Sequence, residues 1–536
     1  MKRLLAAIVV IALLVVPALG QAQTPRPGGT LNFMAPYGGD LLGLDPHKCT
    51  RIQEFLVLMN IYRSLYRWDP DKSMPALDLA TQVDVSADGL TYTYHLRKNV
   101  KFHNGRLMNA DDIIYSYNRI ADPNLKSPSV RFVRMIKGAG DVIDGKAQTI
   151  SGLKKVDDFT LQMTLADPVD PSFSLREPGT AIVPKEAVEG KEDAFNTSAP
   201  VGCGPFKFMR WVKGSEIILE KFPDFFMAGR PLLDKVVYRI ASEASARDMA
   251  FRAKDLDATI VEGAQYEAYK NDPVISKNLI EVAEMFTRGV AFNMDFEPFK
   301  KKEVRQAINY AVDRELIIKK LLKDKAFLAT SWLPTSSAAF DKTSKPYPYD
   351  PKKAKELMVK AGYPNGFAID QAIGTGNASW GVVVYEAMLP FLKEIGITLK
   401  IQQMEGAAMV ERLKNGEFQT FIWSMGSGPD ILGTLKRFSA ENTRAGGNYF
   451  NYKNPEFDNL LNQAAAERDP AKKLDLFKKA NNLLFDDPPL WFFNYNKAVM
   501  GKQPWVHGLK PVAIEMMFQD MTEVWVDDSS PRAKQK

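Results

Sequence analysis

Between Thr91 and Arg97 the chain alternates. Tyr92, Tyr94 and Leu96 fall on one side, and Thr91, Thr93, His95 and Arg97 on the other. A period of two over that length predicts a strand with one buried face. Val100–Phe102 predicts a short second strand, and Asn104-Gly105 a tight turn. The period then becomes helical. Asn109 stands at a capping position with Asp112 three residues on, and Ile113, Ile114, Tyr117 and Ile120 make one apolar face. Strand, turn and helix in that order predict a small α+β unit. Leu153–Leu165 alternates again and predicts a hairpin.

The rest of the chain shows the same change of period. Gly28–Phe33 reads as a first strand, Glu216–Lys221 and Lys235–Ile240 as later ones, and Ala291–Asn293 as a buried strand end. Ile52–Leu65 predicts a helix with Phe55, Leu56, Met59 and Tyr62 inward. Val304, Ala307, Ile308, Ala311 and Val312 are spaced for one helical face. Asp313 caps a following helix with Leu316, Ile317, Leu321 and Leu322 as its apolar positions. Asp350-Pro351, Asn454-Pro455 and Asp469-Pro470 each place a capping side chain before a first-turn proline, and Gly362 is a helix stop. Thr420–Trp423 predicts a strand that runs into the small, flexible Ser424–Gly428.

At 536 residues the chain is too long for one core, so two to four structural units are expected. A balance of 70 basic to 64 acidic side chains is too mild to argue for nucleic acid. Lys2-Arg3, the apolar run Leu4–Val16 and the small residues around Gly20–Ala22 have the form of an export signal cleaved near residues 20–22. Only Cys49 and Cys203 are present, and an oxidising compartment would permit a bridge between them. Gly140–Ala147 nearly spells a phosphate loop, but Ala147 stands where the metal-binding hydroxyl belongs, so it reads as a surface turn. No zinc-protease, nucleophile-elbow or paired-cysteine motif occurs. The histidines His47, His95, His103 and His507 are scattered, which argues against metal, cofactor and catalytic chemistry.

Three stretches carry a resemblance. Tyr92–Arg97 with Val100–Gly105 and Asn109–Asp112, then Val304–Arg314, then Tyr349–Leu357 with Ala361–Phe367, resemble signatures of family 5 of the extracellular solute-binding proteins. That is the dipeptide, oligopeptide and nickel class that feeds ABC importers, and the likeness runs from about residue 28 to about residue 500. It implies an α/β, bilobal periplasmic binding protein of the large cluster C type with an extra α+β subdomain in the first lobe. The expected division is residues 1–22 signal peptide, 23–73 with 186–262 and 492–536 as the first lobe, 74–185 as the subdomain, and 263–491 as the second lobe. The chain is expected to cross between lobes near Ala258–Gln265 and near Phe485–Asn496. The implied function is capture of a small solute, peptide or non-peptide, by hinge closure in the periplasm. Delivery to an inner-membrane permease would follow, with the binding protein acting as a monomer, not an enzyme, and needing no cofactor. The alternative is a secreted chaperone-like peptide binder.

The resemblance implies ligand contacts at His47, Thr50, Asn377, Trp380, Trp423, Met425, Gly426, Ser427 and Asp430, and places Cys49 and Cys203 together in the first lobe. Two departures qualify it. Where the peptide binders hold the ligand's amine with a carboxylate, this chain has Met425, Gly426, Ser427 and Gly428. Where the dipeptide binder holds the carboxylate with an arginine, Gly374–Trp380 has no basic residue. Burying an unpaired charge costs several kcal/mol, so weak binding of simple dipeptides and a preference for apolar or ring-bearing solutes are expected.

Overall fold

In the computed structural model, which describes residues 24–535 other than 36–39, 50, 242, 376–380 and 405, Thr91–Leu96 is a strand that buries Tyr94 and Leu96. It lies between Ala80–Val85 and Thr160–Thr164 in a four-stranded antiparallel sheet, with Leu153–Asp157 at the edge. Val100–Phe102 is not a strand. The Asn104-Gly105 turn, with Gly105 at φ 91°, folds the chain straight back and leaves one bridge between Lys101 and Leu107. Helix Ala110–Ala121 begins as its capping pattern dictates. Asn109 Oδ1 accepts from Asp111 N, and Asp112 Oδ2 accepts from Asn109 N, each at 2.9 Å. Ile113, Tyr117 and Ile120 are fully buried beneath it. Residues outside 74–185 complete this core: Leu65 and Tyr66 before it, Cys203, Phe222 and Phe225 after it.

The first lobe is built on a second sheet, ordered Thr30–Ala35, Lys235–Ile240, Glu216–Lys221, Phe206–Val212, with its first pair parallel and the others antiparallel. Asp257 closes it. Its buried carboxylate accepts from Asn32 N at 2.7 Å, from Trp505 Nε1 at 2.8 Å and from Arg532. One buried acid thus joins the first strand to the end of the chain.

The second lobe surrounds a mixed seven-stranded sheet that includes Thr420–Gly426 and the parallel pair Phe367–Thr375 and Ile397–Met404. Its helices start at the predicted caps. Asp350 Oδ1 accepts from Lys353 N at 2.8 Å, Asp469 Oδ1 from Ala471 N at 2.9 Å, and Asn454 Oδ1 from Glu456 N at 3.1 Å. In helix Arg314–Leu321 half of the expected apolar face is met: Ile317 is buried and Leu322, just past the helix, packs on the same core. Ile318 is buried as well, whereas Leu316 is 43% and Leu321 37% exposed.

Two long antiparallel strands, Leu279–Phe292 and Leu490–Lys502, belong to both lobes. Val499 and Met500 sit in the first-lobe core, and Leu490 and Phe492 in a second-lobe core. The expectation that the chain first leaves the lobe near Ala258–Gln265 is corrected. The helix Gly263–Asn271 buries Tyr266 and Tyr269 in the first-lobe core, so the crossing falls beyond Val282. At the joint the register slips. Glu284, Met285 and Phe286 stand opposite Asn496 alone, between the pairs Ala283–Lys497 and Thr287–Tyr495. Such a bulge bends a strand and interrupts its ladder.

Cys49 and Cys203 are both buried and unbridged. They belong to different cores, the lobe and its subdomain, so the bridge that an oxidising compartment would permit is not formed. Burial pushes the Cys203 thiol up to about 12. Two thiols should therefore titrate in the unfolded, unreduced protein and neither should react quickly in the native one; a single or absent thiol after unfolding would refute this arrangement. Replacing Asn109 with alanine should cost about 1 kcal/mol of stability by chemical denaturation, since it strips the donors of the subdomain's central helix.

Candidate functional site

A cavity of about 80 Å³ opens in the first lobe beside the joint. Four segments build it. The end of helix Ile52–Ile61 brings Tyr62 and Arg63, and the hairpin Tyr66–Asp69 with Met74–Leu77 brings Arg67 and Trp68. The turn at Pro178 brings Arg176, and the C-terminal segment brings Val512, Ile514 and Asp520. Two of these segments touch the second lobe. Met74 packs on its core, and the carbonyl of Ala513 accepts from Met285 N, in the bulge, at 3.1 Å. Arg468 of the second lobe donates to the carbonyl of Ala87 in the subdomain. The cavity therefore lies where the two lobes meet.

Its lining holds buried donors and acceptors that lack partners among the described residues. The two terminal nitrogens of Arg63 donate to both oxygens of Asp520, at 2.7 and 3.0 Å, and to Thr522 Oγ1 at 2.7 Å, whereas its buried Nε has no acceptor among the described residues. Burial would raise the Asp520 carboxyl, but Arg63 and Thr522 carry it down to about 2. Asp78 is different. Burial lifts its carboxyl above the usual range, Arg63 Nε stays 3.6 Å away, and neither oxygen has a hydrogen-bond donor among the described residues. Arg176 pairs with Glu177 at 2.7 Å and lies over the Trp68 ring, 5.2 Å from its centre. Arg176 Nε and Trp68 Nε1 are buried without an acceptor among the described residues. Each such group costs about 1–3 kcal/mol if left so.

The joint itself is charged. Asn496 Nδ2 donates to Glu284 Oε2 at 2.5 Å. Lys497 Nζ meets Glu281 at 3.3 Å and Tyr266 OH at 3.1 Å. Glu515, from the C-terminal segment, is pushed up to about 7 by burial and by Glu284, although it accepts from Met517 N.

The family model for bacterial extracellular solute-binding proteins, family 5, matches residues 75–445. Di/tripeptide-binding protein 1 of Pseudomonas aeruginosa (strain UCBPP-PA14) is 30% identical over 505 residues, 88% of this chain and 90% of that relative. This chain belongs to family 5 of the bacterial extracellular solute-binding proteins. Members of that family are the substrate-binding components of ABC importers, and this is the role of the present chain. Two solved structures share its fold. The periplasmic murein tripeptide binding protein MppA in its unliganded open form gives a TM-score of 0.83 at 22% identity, over 94% of this chain and 98% of its own. The periplasmic binding protein DppA from Helicobacter pylori in complex with the peptide STSA gives 0.64 at 28% identity, over 94% and 99%.

Against this family frame, several residues expected to touch ligand are occupied elsewhere. His47 is fully buried. Its Nε2 lies 2.8 Å from the carbonyl of Ala181 and its Nδ1 2.8 Å from Arg119, which also pairs with Asp45. Burial pulls its imidazole down to about 4, and no ring nitrogen remains for a ligand. Met425 points into the second-lobe core and is 2% exposed. Ser427 is wholly buried; its backbone N donates to the Met285 carbonyl at 2.9 Å and its Oγ accepts from Thr287. Gly426 stays half-buried with its carbonyl accepting from Thr434 Oγ1 at 3.1 Å. Asp430 caps the short helix Ile431–Leu435 through Gly433 N at 3.0 Å. Its carboxylate opens to solvent yet is flanked by protein at the mouth between lobes, and burial with Asp170 of the first lobe raises it. Trp423 lies on the strand Thr420–Gly426. Thr50, Asn377 and Trp380 fall outside the described residues.

Sequence reasoning passed over Arg67, Trp68, Arg176 and the segment 510–520. Arg67 and Trp68 follow the predicted helix Ile52–Leu65 without a motif of their own, and Arg176 and Asp520 lie hundreds of residues apart. The alternation at Tyr66–Trp68 was the one available signal. Among the described residues no group of three His, Cys, Asp or Glu side chains is placed for a metal ion.

The folded protein holds the Glu515 proton up to about pH 7, whereas the unfolded carboxyl releases it near 4.5. More protons bound in the folded state mean that stability falls as pH rises through that window. Glu515→Gln should flatten this fall and make the protein about 2 kcal/mol more stable than wild type at pH 8, with the difference shrinking by pH 5. An equal difference at both pH values would show that Glu515 is solvated.

Proposed function

We propose that this chain works in the periplasm as a monomer that closes about a small solute and then docks on an inner-membrane permease. The observation that carries the closing motion is the joint: the lobes are linked by two strands, and both lose register at the same place. The fold likeness supports it. Greater similarity in sequence ought to bring greater similarity in shape, yet the peptide complex, at higher identity, superimposes less well than the unliganded open protein. We read that inversion as a difference in lobe opening, with the present structure as the open state. Motion of this kind is a standard hinge device. The N-terminal apolar run, outside the described residues, supports export, and among the described residues no helix is long and apolar enough to cross a membrane.

The ligand class follows from the relatives' peptides and from the two departures. A peptide or peptide-like solute fits, held without the second-lobe amine clamp, since Met425 and Ser427 are buried and Asp430 is engaged by its own helix. Trp380 and Trp423 are proposed as flat faces for a ring-bearing or apolar group. Simple dipeptides are then weak ligands.

Small-angle scattering should give a smaller radius of gyration with saturating ligand than without. Mass spectrometry of small molecules released from the purified protein supplies that ligand. An unchanged radius at saturation would remove hinge closure from the mechanism.

A further inference from the structure

Three buried N–H groups of the first-lobe cavity, on Arg63, Trp68 and Arg176, lack acceptors, and the two oxygens of Asp78 lack donors, among the described residues. Arg63 and Asp520 neutralise one another, and Lys510 at the rim pairs with Asp71 at 2.9 Å. Arg176 has Glu177 but keeps a free Nε–H, and Trp68 keeps its indole N–H, among the described residues. Arg67, half-buried on the same hairpin as Trp68, has no ion pair or hydrogen bond among the described residues. Asp78 lies close enough to feel Arg67, Arg97 and Arg63, yet no N–H reaches it. A single water needs roughly 10–15 Å³ of such space. The cavity of about 80 Å³ therefore takes several waters, or one small polar group and its nearest atoms, but not a whole peptide.

We propose that this cavity is a subsite for the solute's carboxylate, with Arg67 as its ionic partner and the Trp68–Arg176 stack as its floor. This rests on the solute-binding reading above and deepens it. A carboxylate is acceptor-only and planar, and it suits a guanidinium fork better than any neutral group does. The location also answers a question raised by the sequence. No basic residue stands at Gly374–Trp380 of the second lobe, where the dipeptide binder holds its ligand's carboxylate. The first lobe presents Arg67 at a cavity that abuts the joint, so the carboxylate would be bound before closure and the rest of the solute would meet the second lobe as the lobes come together. The order matters physically: the lobe that holds the charge must do so in the open form, where the cavity is already built.

The test uses the full exported protein and two probes, N-acetyl-Ala-Phe-Ala as the free acid and as its C-terminal amide, compared by calorimetry. Acetylation removes the amine, so the reading does not depend on how that end is held. The acid should bind about tenfold more tightly than the amide. Arg67→Gln should lower acid affinity by about that factor and leave the amide unchanged, and Arg67→Lys should recover part of the loss. The charge of Arg67 reaches the buried Asp78, so Arg67→Lys, which keeps that charge, serves as the folding control, with melting temperatures measured for both variants. Acid and amide bound equally by wild type, or an acid preference that survives Arg67→Gln, would overturn the carboxylate subsite while leaving solute capture intact. Failure of wild type to bind either probe would overturn the peptide reading and this subsite with it.

Discussion

All covalent communication between the two lobes, among the described residues, passes through a pair of antiparallel strands. Leu279–Phe292 and Leu490–Lys502 are paired on both sides of the joint and unpaired within it, where Glu284, Met285 and Phe286 face Asn496. A continuous ladder would resist bending through every hydrogen bond along its length. Register shifts at Ala283/Thr287 and at Arg288/Gly289 interrupt it within one short stretch and confine the bend there. On either side, the strands are locked into cores too well packed to deform, with Val499 and Met500 on one side and Leu490 and Phe492 on the other fully buried. Rigid lobes and a soft joint are the mechanical requirement for a protein that must close around something.

The joint is also where charge accumulates. Lys497, Glu281 and Tyr266 form one partly buried group, and Glu284 with Asn496 another. Glu515 reaches the second group from the C-terminal segment and is held protonated to about pH 7. Protein charges that are only partly desolvated respond to small changes of exposure, since burial alone shifts their preferred state. Glu515 is the group at this joint whose ionisation burial moves, so a change in its exposure would change its protonation. The same segment that brings Glu515 to the joint lines the first-lobe cavity with Val512, Ile514 and Asp520. Cavity and hinge are therefore neighbours through one stretch of chain, which itself is tied down by Asn60 Oδ1 accepting from Met521 N at 2.9 Å.

Much of the local structure was legible from the residues. Capping side chains at Asn109, Asp350, Asn454 and Asp469 act within three residues of themselves, so the helices they begin do not depend on what lies across the molecule. The strand Thr91–Leu96 declared its buried face by alternation alone. Local reading failed where a distant partner decided the matter. Leu316 and Leu321 have the right spacing for a core and no core to enter. His47 has the position of a ligand contact by resemblance, but Arg119 and Ala181 take both its nitrogens.

By itself, then, the sequence determined the capped helices, the strand Thr91–Leu96, the Asn104-Gly105 turn and membership of a family, because each rests on short-range chemistry or on residues in a fixed order. The tertiary structure decided where the lobes divide. Tyr266 and Tyr269 look like any helical tyrosines until Phe251, at 5.7 Å from the Tyr269 ring, shows which core they fill. It also decided that the cysteines stay apart and that Arg67, Trp68, Arg176 and Asp520 share one cavity. No pattern along the chain joins residue 67 to residue 520. Only folding a helix end, a hairpin, a turn and a C-terminal segment onto one core brings their charges within range of one another.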